Sequence, residues 1–307
     1  MAALNRHGVQ LPEKESGSIS HQYPLLSGTV TYPEPLEPPL DLASIGRGLC
    51  VISQAVPCSD LELDIPGISL SGHQPTAEES WSARVVSLKR FTDEVMRLRL
   101  SPEQATGLAF TAGQYVNVIT REGNRRAFSI ASPPSCKAFI ELHIRKVQTG
   151  RFTHHVFDGM APGDRLQLEG PLGGLNICPR STRPILMMGG GTGFAPLKSM
   201  IEERMNHDPD ASLSLFWGAA TSADLYASDL IERWSGRNAD FRFVPVLTDP
   251  EPEWSGERGF VHEAVLRHHR DLSPFDIYMA GPPPMVEAAR RQFLAAGAQI
   301  DRLFYDA

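Results

Sequence analysis

The chain has 307 residues, of which 41% are hydrophobic and 21% charged, with a formal net charge of −7. That balance fits a soluble globular protein of about two domains and argues against a chain whose main task is to grip nucleic acid, since phosphate binding calls for an excess of cations. No apolar run approaches the ~20 residues of a membrane span, and the opening MAALNRHGVQLPEKE lacks the apolar stretch of a signal peptide, so a cytoplasmic protein without membrane or direct nucleic-acid contact is expected.

Residues 1–64 read as a small separate unit. VTYPEPLEPPL (30–40) is too rich in proline for a helix or a central strand and reads as an extended connector. PGISLSGHQPTAEES, poor in large apolar residues, places a linker over 65–80. The four cysteines, Cys50, Cys58, Cys136 and Cys178, form no C-x-x-C pair and have no metal-ligand spacing with histidine, so reduced, partly buried thiols are expected. The adjacent pairs His154-His155 and His268-His269 cannot both face one metal from a helix or strand, and no metal site is expected.

Residues 81–179 break into short strand patterns: 83–87, 95–100, 114–119 and 140–147 alternate apolar with polar, as a half-buried antiparallel sheet requires. With turn signals at 112–113, 133–134, 162–164 and 170–171 they predict a small β-barrel. Arg125-Arg126-Ala127-Phe128-Ser129 offers a guanidinium for phosphate, an aromatic face and a hydroxyl within a few residues, the group types that a flavin dinucleotide needs. In Thr149-Gly150-Arg151-Phe152-Thr153, Thr153 is placed to cap a helix whose amides meet the same pyrophosphate.

Residues 180–307 alternate strands with helices, the mark of a doubly wound parallel sheet. Strands are expected at 185–188, 213–217, 241–247 and 277–280, and helices at 196–204, 229–234, 261–268 and 284–295. The apolar run before GGGTGFAP (189–196) enters a glycine turn that opens a helix, where backbone amides can face a pyrophosphate. The turn is not the full G-x-G-x-x-G, because the third glycine position falls on Pro196, and Ala219-Ala220-Thr221 supplies no acid after the second strand for a ribose. A nucleotide site here belongs to a lineage other than the common dehydrogenases.

Read in order, RAFS (126–129), HIRKV (143–147), TGRFT (149–153), GDRLQLEGPLG (163–173), GGGTGFAP (189–196), LFWGAATSADLY (215–226), EWSGERGFVHEAV (253–265) and YMAGPPPMVEAA (278–289) resemble the ferredoxin–NADP reductase superfamily. The likeness is to its oxygenase-coupled, ferredoxin-fused NADH reductases and their flavin-reductase relatives. It implies a six-stranded antiparallel barrel that binds FAD and a parallel-sheet domain that binds a pyridine nucleotide, with hydride passing at the cleft between them.

Carried over, the resemblance puts Arg126 on the FAD pyrophosphate, Phe128 against the flavin and Ser129 at its reactive nitrogen. Ile144 and Val147 would offer backbone, and Gly150 and Thr153 would meet the phosphates. Gly191, Thr192 and Gly193 would receive the nucleotide, with Thr192 beside Ser129 at the reacting centre. Gly281, Pro282 and Met285 would form the second loop near the nicotinamide, and Phe304-Tyr305-Asp306 resembles a segment that closes over the ring.

The chain departs from the family at three places. Phe128 stands where Tyr is usual, which keeps the stack and loses one hydroxyl, and Ala220 stands where relatives commonly carry Arg, which leans the cofactor towards NADH over NADPH. ALNRHGVQLP (3–12), LLSG (25–28) and SQAVPCSDLELD (53–64) resemble a plant-type 2Fe-2S ferredoxin module, but its ligand positions fall on Glu13, Ser18, His21 and Ser53. None is a thiolate, so no cluster is expected in what reads as a degenerate, partial β-grasp remnant. The module's opening hairpin is missing, which points to decay of the domain or to a misplaced start.

The expected protein is therefore an FAD-dependent NAD(P)H oxidoreductase, a monomer that passes electrons to a separate ferredoxin, an oxygenase component or a small acceptor such as a flavin. The alternative is a reductase-like flavoprotein kept as a redox-responsive regulator with little turnover, which the lost cluster and Ala220 favour and the intact glycine segments oppose.

Overall fold

The computed structural model describes residues 22–27, 30–31, 49–51, 56–57, 62–63, 80–103, 108–178 and 181–305. Glu13, Ser18, His21, Ser53, Cys58 and Asp306, together with nearly all of the 65–80 segment, lie outside the described residues. The chain divides into two compact units, Met1–Ala77 and Glu78–Ala307.

In the first unit β1 (Gln22–Ser27) is the centre of a three-stranded sheet, antiparallel to both β3 (Leu49–Val51) and β5 (Glu62–Leu63). A second pair joins β2 (Val30–Thr31) to β4 (Val56–Pro57). Cys50 is a free, buried thiol whose burial pushes its pKa up to about 11.

The second unit begins with six antiparallel strands, β6 (Trp81–Arg90), β7 (Val95–Pro102), β8 (Tyr115–Ile119), β9 (Arg125–Ser129), β10 (Ile140–Arg145) and β11 (Arg165–Leu172). Their order is β10-β7-β6-β11-β8-β9, and a bridge between Ile130 and Leu142 brings the two edges together, so the sheet closes on itself. Alternate residues of these strands, among them Ala83, Leu98, Val118, Leu142 and Leu168, fill its interior. The 170–171 step read as a turn is instead part of β11, which runs to Leu172 through a cis Gly170-Pro171 bond and a register shift against β8. The helix α1 (Arg151–Asp158) follows β10.

From Ile185 onward the chain builds a six-stranded parallel sheet from β12 (Ile185–Gly190), β13 (Leu213–Ala219), β14 (Phe241–Leu247), β15 (Glu257–Arg258), β16 (Asp276–Ala280) and β17 (Leu303–Tyr305), in the order β15-β14-β13-β12-β16-β17. Strand side chains alternate between two cores. Ile185 and Met187 pack under α2 (Phe194–His207) and α3 (Ser228–Arg237), while Leu186 and Met188 pack under α4 (Val261–His268) and α5 (Pro283–Ala295). The order reverses at β12, with β13 on one side and β16 on the other, so a crevice opens beyond the carboxyl ends of β12 and β16. GGGTG leaves the first strand there and Gly281 leaves the second.

Candidate functional site: two clefts with a shared wall

The first cleft, of about 630 Å³, lies against the barrel and is lined by β9, the end of β10 and the turn into α1. Arg125 and Arg126 are neighbours on β9 with opposite employment. Arg125 donates Nε and Nη2 to Glu169 at 2.6 and 2.7 Å, whereas Arg126 lines the cleft with no ion pair among the described residues. Phe128 and Phe152 stand in the wall with ring centroids 5.7 Å apart.

Thr153 lies in the first turn of α1 and does not cap it; the N-cap is Gly150, with no side-chain cap at all. The Thr153 hydroxyl instead accepts the Val147 N–H at 3.1 Å and donates to the Gly150 carbonyl at 2.9 Å, sewing the 147–150 loop to the helix. The reason is local: a Cβ at Gly150 would stand 2.7 Å from Thr153 Oγ1, so the glycine lets the hydroxyl close under the loop. The uncapped amides at this helix start face the side where an anion is stabilised.

The second cleft, of about 250 Å³, lies at the crevice of the parallel sheet. Gly191, at φ +53°, turns the chain in the left-handed region, and a Cβ added there would meet nothing nearer than Arg145 Nη1 at 3.8 Å, so that side of the backbone is open to the cleft. Trp217 fixes that turn by donating Nε1 to the Gly191 carbonyl at 3.0 Å, and its indole stacks on Phe194 at 4.1 Å. Gly193 closes the back of the turn: a Cβ there would stand 2.2 Å from the Ala280 carbonyl oxygen. The helix α2 that follows has no side-chain cap.

Of the residues singled out in the sequence, Arg126, Phe128, Val147, Gly150 and Thr153 line the first cleft, Gly191, Pro282 and Met285 line the second, and Thr192 lines both. The others stand behind these walls. Ser129 ends β9 half-buried, the Ile144 side chain points into the barrel core, Gly281 backs onto Gly190, and Tyr305 is held in β17 opposite Met279.

Several lining residues were not anticipated. Arg145 lines both clefts and donates Nη2 to Glu94 at 3.0 Å. Asp224 lines the second, supplying the acid that Ala219-Ala220-Thr221 does not; its Oδ2 accepts the Thr221 N–H and hydroxyl at 3.0 and 2.9 Å. His143 belongs to the first and Tyr226 to the second. The sequence signal for Arg145 and His143 was their place in HIRKV, and for Asp224 and Tyr226 their place in ADLY.

The first cleft therefore offers an unpaired cation, two aromatic faces and free helix amides, a donor set that suits a flavin dinucleotide. The second offers a glycine turn at a strand switch point, the set that suits a second nucleotide. Sharing Arg145 and Thr192 puts the two bound groups side by side, the arrangement of a flavoprotein reductase.

Residues 82–177 match the oxidoreductase FAD-binding domain family and residues 187–291 the oxidoreductase NAD-binding domain family. The chain is similar to the CDP-6-deoxy-L-threo-D-glycero-4-hexulose-3-dehydrase reductase of Yersinia pestis, 33% identical over 81% of this chain and 74% of that protein. It is also similar to reductase component 1 of the terephthalate 1,2-dioxygenase of Comamonas, 30% identical over 92% of this chain and 84% of that one. Among solved structures, a cytochrome P450 reductase of Amycolatopsis superposes with a TM-score of 0.72 at 29% identity, covering 99% of this chain and 92% of the other. The chain belongs to the ferredoxin–NADP reductase superfamily, in the branch that holds the reductase components of oxygenases. It is an FAD-dependent NAD(P)H oxidoreductase.

Proposed function

We propose that the chain is an NADH-preferring reductase component that delivers electrons to a separate protein, an oxygenase component or a ferredoxin. The observation that carries this reading is the shared wall: Arg145 and Thr192 stand at once in the barrel cleft and in the nucleotide cleft. Bound FAD would supply the acceptor for the nicotinamide hydride and the means of releasing its electrons one at a time.

In this reading Arg126 and the amides around Gly150 and Thr153 hold the FAD phosphates, Phe128 covers its ring, and the 144–147 backbone supports it. Thr192, in both walls, flanks the reacting atoms, with Ser129 next to Phe128 at the end of β9 as the second catalytic group. Gly191 and Gly193 let the nucleotide approach the backbone closely, and Pro282 and Met285 with Gly281 bound the nicotinamide end. Residues 81–179 and 180–307 are the two working halves, and 1–64 is a ferredoxin-like remnant without a cluster. Tyr305, set in β17, is assigned to the flavin side of the closing segment.

Two features support NADH over NADPH. Asp224 presents a carboxylate to the nucleotide cleft, with Oδ1 free to accept ribose hydroxyls and repel a ribose phosphate. Ala220, in the same wall, offers no cation for that phosphate. An acceptor outside the chain is supported by the relatives that are components of oxygenase systems.

The test is anaerobic mixing of the FAD-loaded protein with NADH and, separately, NADPH, following the visible flavin band. Rapid bleaching by NADH and slow bleaching by NADPH are expected. Protein shown to hold FAD that is bleached by neither would overturn the proposal.

A further inference from the structure

Along β10, Ile140, Leu142 and Ile144 enter the barrel core, so the two-residue period of the strand sends Glu141, His143 and Arg145 to the opposite face. That face is not left to water. Glu141 and His143 are both buried, and Tyr226 and Lys198 of the nucleotide-binding half reach over to them.

Both nitrogens of His143 are engaged: Nδ1 lies 3.1 Å from the Tyr226 hydroxyl and Nε2 lies 3.1 Å from Glu141 Oε1. Glu141 takes Arg99 Nε at 2.8 Å and lies 3.5 Å from Lys198 Nζ, on α2. Lys198 continues to the Ala131 carbonyl at 2.9 Å and to Glu202 at 2.8 Å. Beside it, the Ser199 hydroxyl donates to the Ser132 carbonyl at 2.7 Å.

The chain of bonds has one direction. Three cations, Arg97, Arg99 and Lys198, keep Glu141 a carboxylate, which can only accept, so the ring hydrogen of His143 sits on Nε2 and Nδ1 is left to accept from Tyr226. Burial lowers the His143 pKa and leaves the ring neutral, and burial with the Glu141 charge keeps the Tyr226 phenol protonated.

The two ends stand in different sites, His143 in the wall of the flavin cleft and Tyr226 in the wall of the nucleotide cleft. Phe91 and Phe194 also pack on the His143 ring, but apolar contact is non-directional and tolerates sliding. Buried polar pairs add little net stability over an apolar replacement, and fixing register is their best-attested use.

We propose that Tyr226, His143 and Glu141 form a positioning chain that sets the register of the nucleotide cleft against the flavin cleft, governing how fast hydride is delivered and not how tightly nucleotide binds. It rests on the two-site reading given above.

Tyr226→Phe removes one hydrogen bond and keeps the ring. The double variant Tyr226→Phe/His143→Phe leaves no ring nitrogen stranded, and Glu141, which loses the His143 N–H, keeps Arg99 and Lys198, so it remains informative if the single variant folds poorly. In FAD-loaded protein the limiting rate of flavin bleaching at saturating NADH should fall about tenfold, since small misplacements of reacting atoms are costly. The NADH concentration giving half that rate should stay as in the parent. The change that NAD⁺ binding makes to the oxidised flavin spectrum should weaken in parallel, a readout that needs no turnover. An unchanged limiting rate with an unchanged spectrum, or a loss confined to the half-saturating concentration, would overturn the proposal. A parent protein that fails to bleach would instead count against the function proposed above.

Discussion

Arg145 donates Nη2 to Glu94 Oε2 at 3.0 Å at the junction of the two clefts, where Arg145 lines both and Glu94 lines the nucleotide side. Both side chains are more than half exposed, at 59% and 60%, so the pair itself contributes at most about 1 kcal/mol to folding. Its value lies in a guanidinium held beside Gly191, ready to exchange a carboxylate for a phosphate. Arg145→Ala should leave the melting temperature unchanged and raise the half-saturating NADH concentration about tenfold, the loss of one charge-assisted hydrogen bond. Glu94→Gln should move NADH affinity the other way or not at all. Equilibrium titration of the flavin spectrum with NAD⁺ checks both, and an Arg145→Ala protein that binds as the parent does would remove the arginine from the site.

Asp224 makes the nucleotide preference testable in one substitution. A carboxylate about 4 Å from a ribose phosphate repels it by roughly 1–4 kcal/mol in a partly screened cleft. Asp224→Ser should therefore raise the NADPH-to-NADH ratio of flavin reduction efficiencies by about tenfold or more, chiefly by improving NADPH. Initial rates against the concentration of each nucleotide measure it. A ratio that does not move would place the preference elsewhere in the cleft.

The regular elements were legible because their periods differ: β14 at 241–247 and α4 at 261–268 fall where the apolar spacing puts them. The glycine turn was legible because few residues but glycine fit it. Glu141, His143 and Arg145 were not, since IELHIR reads as a strand with one wet face, and only the covering half buries Glu141 and His143 and leaves Arg145 at the rim of both clefts. Asp224 was missed because the acid closes a short 3₁₀ turn, Ser222–Asp224, and does not stand directly at the end of β13. Tyr305 lies in a sixth parallel strand that three residues cannot announce by pattern.

Gly193 separates a cost of space from a cost of conformation. Its φ is −58°, ordinary for any residue, yet a Cβ would stand 2.2 Å from the Ala280 oxygen and 2.7 Å from the Gly281 Cα, backbone atoms that cannot swing aside. Gly193→Ala should destabilise the fold by about 1–3 kcal/mol and weaken nucleotide binding by pushing the two loops apart. Gly191→Ala meets open space but a left-handed φ of +53°, a cost of about 1–2 kcal/mol. Denaturant unfolding should show both losses, and only Gly193→Ala should displace Gly281. A Gly193→Ala protein with parental stability and affinity would contradict the close approach.

The buried carboxylate of Glu141 gives the fold an acid dependence whose sign can be worked out. Burial alone would raise its pKa, but the hydrogen bond from His143 and the charge of Lys198, with Arg99, outweigh that and hold it well below the usual carboxylate range. A group depressed in this way contributes stability in full above its unfolded pKa of about 4.3, and the contribution is lost as pH falls from there towards the folded value. Glu141→Gln removes the charge at every pH and strands its cations, so it should be less stable than the parent by roughly 1–3 kcal/mol at neutral pH. The gap between parent and variant should hold from pH 7 down to about 5 and then narrow steadily in more acid solution. Other carboxylates titrate over the same range, but they do so in both proteins and cancel in the difference. Denaturant unfolding at a series of pH values measures it, and a gap that stays constant through the acid range would mean that folding does not lower the Glu141 pKa.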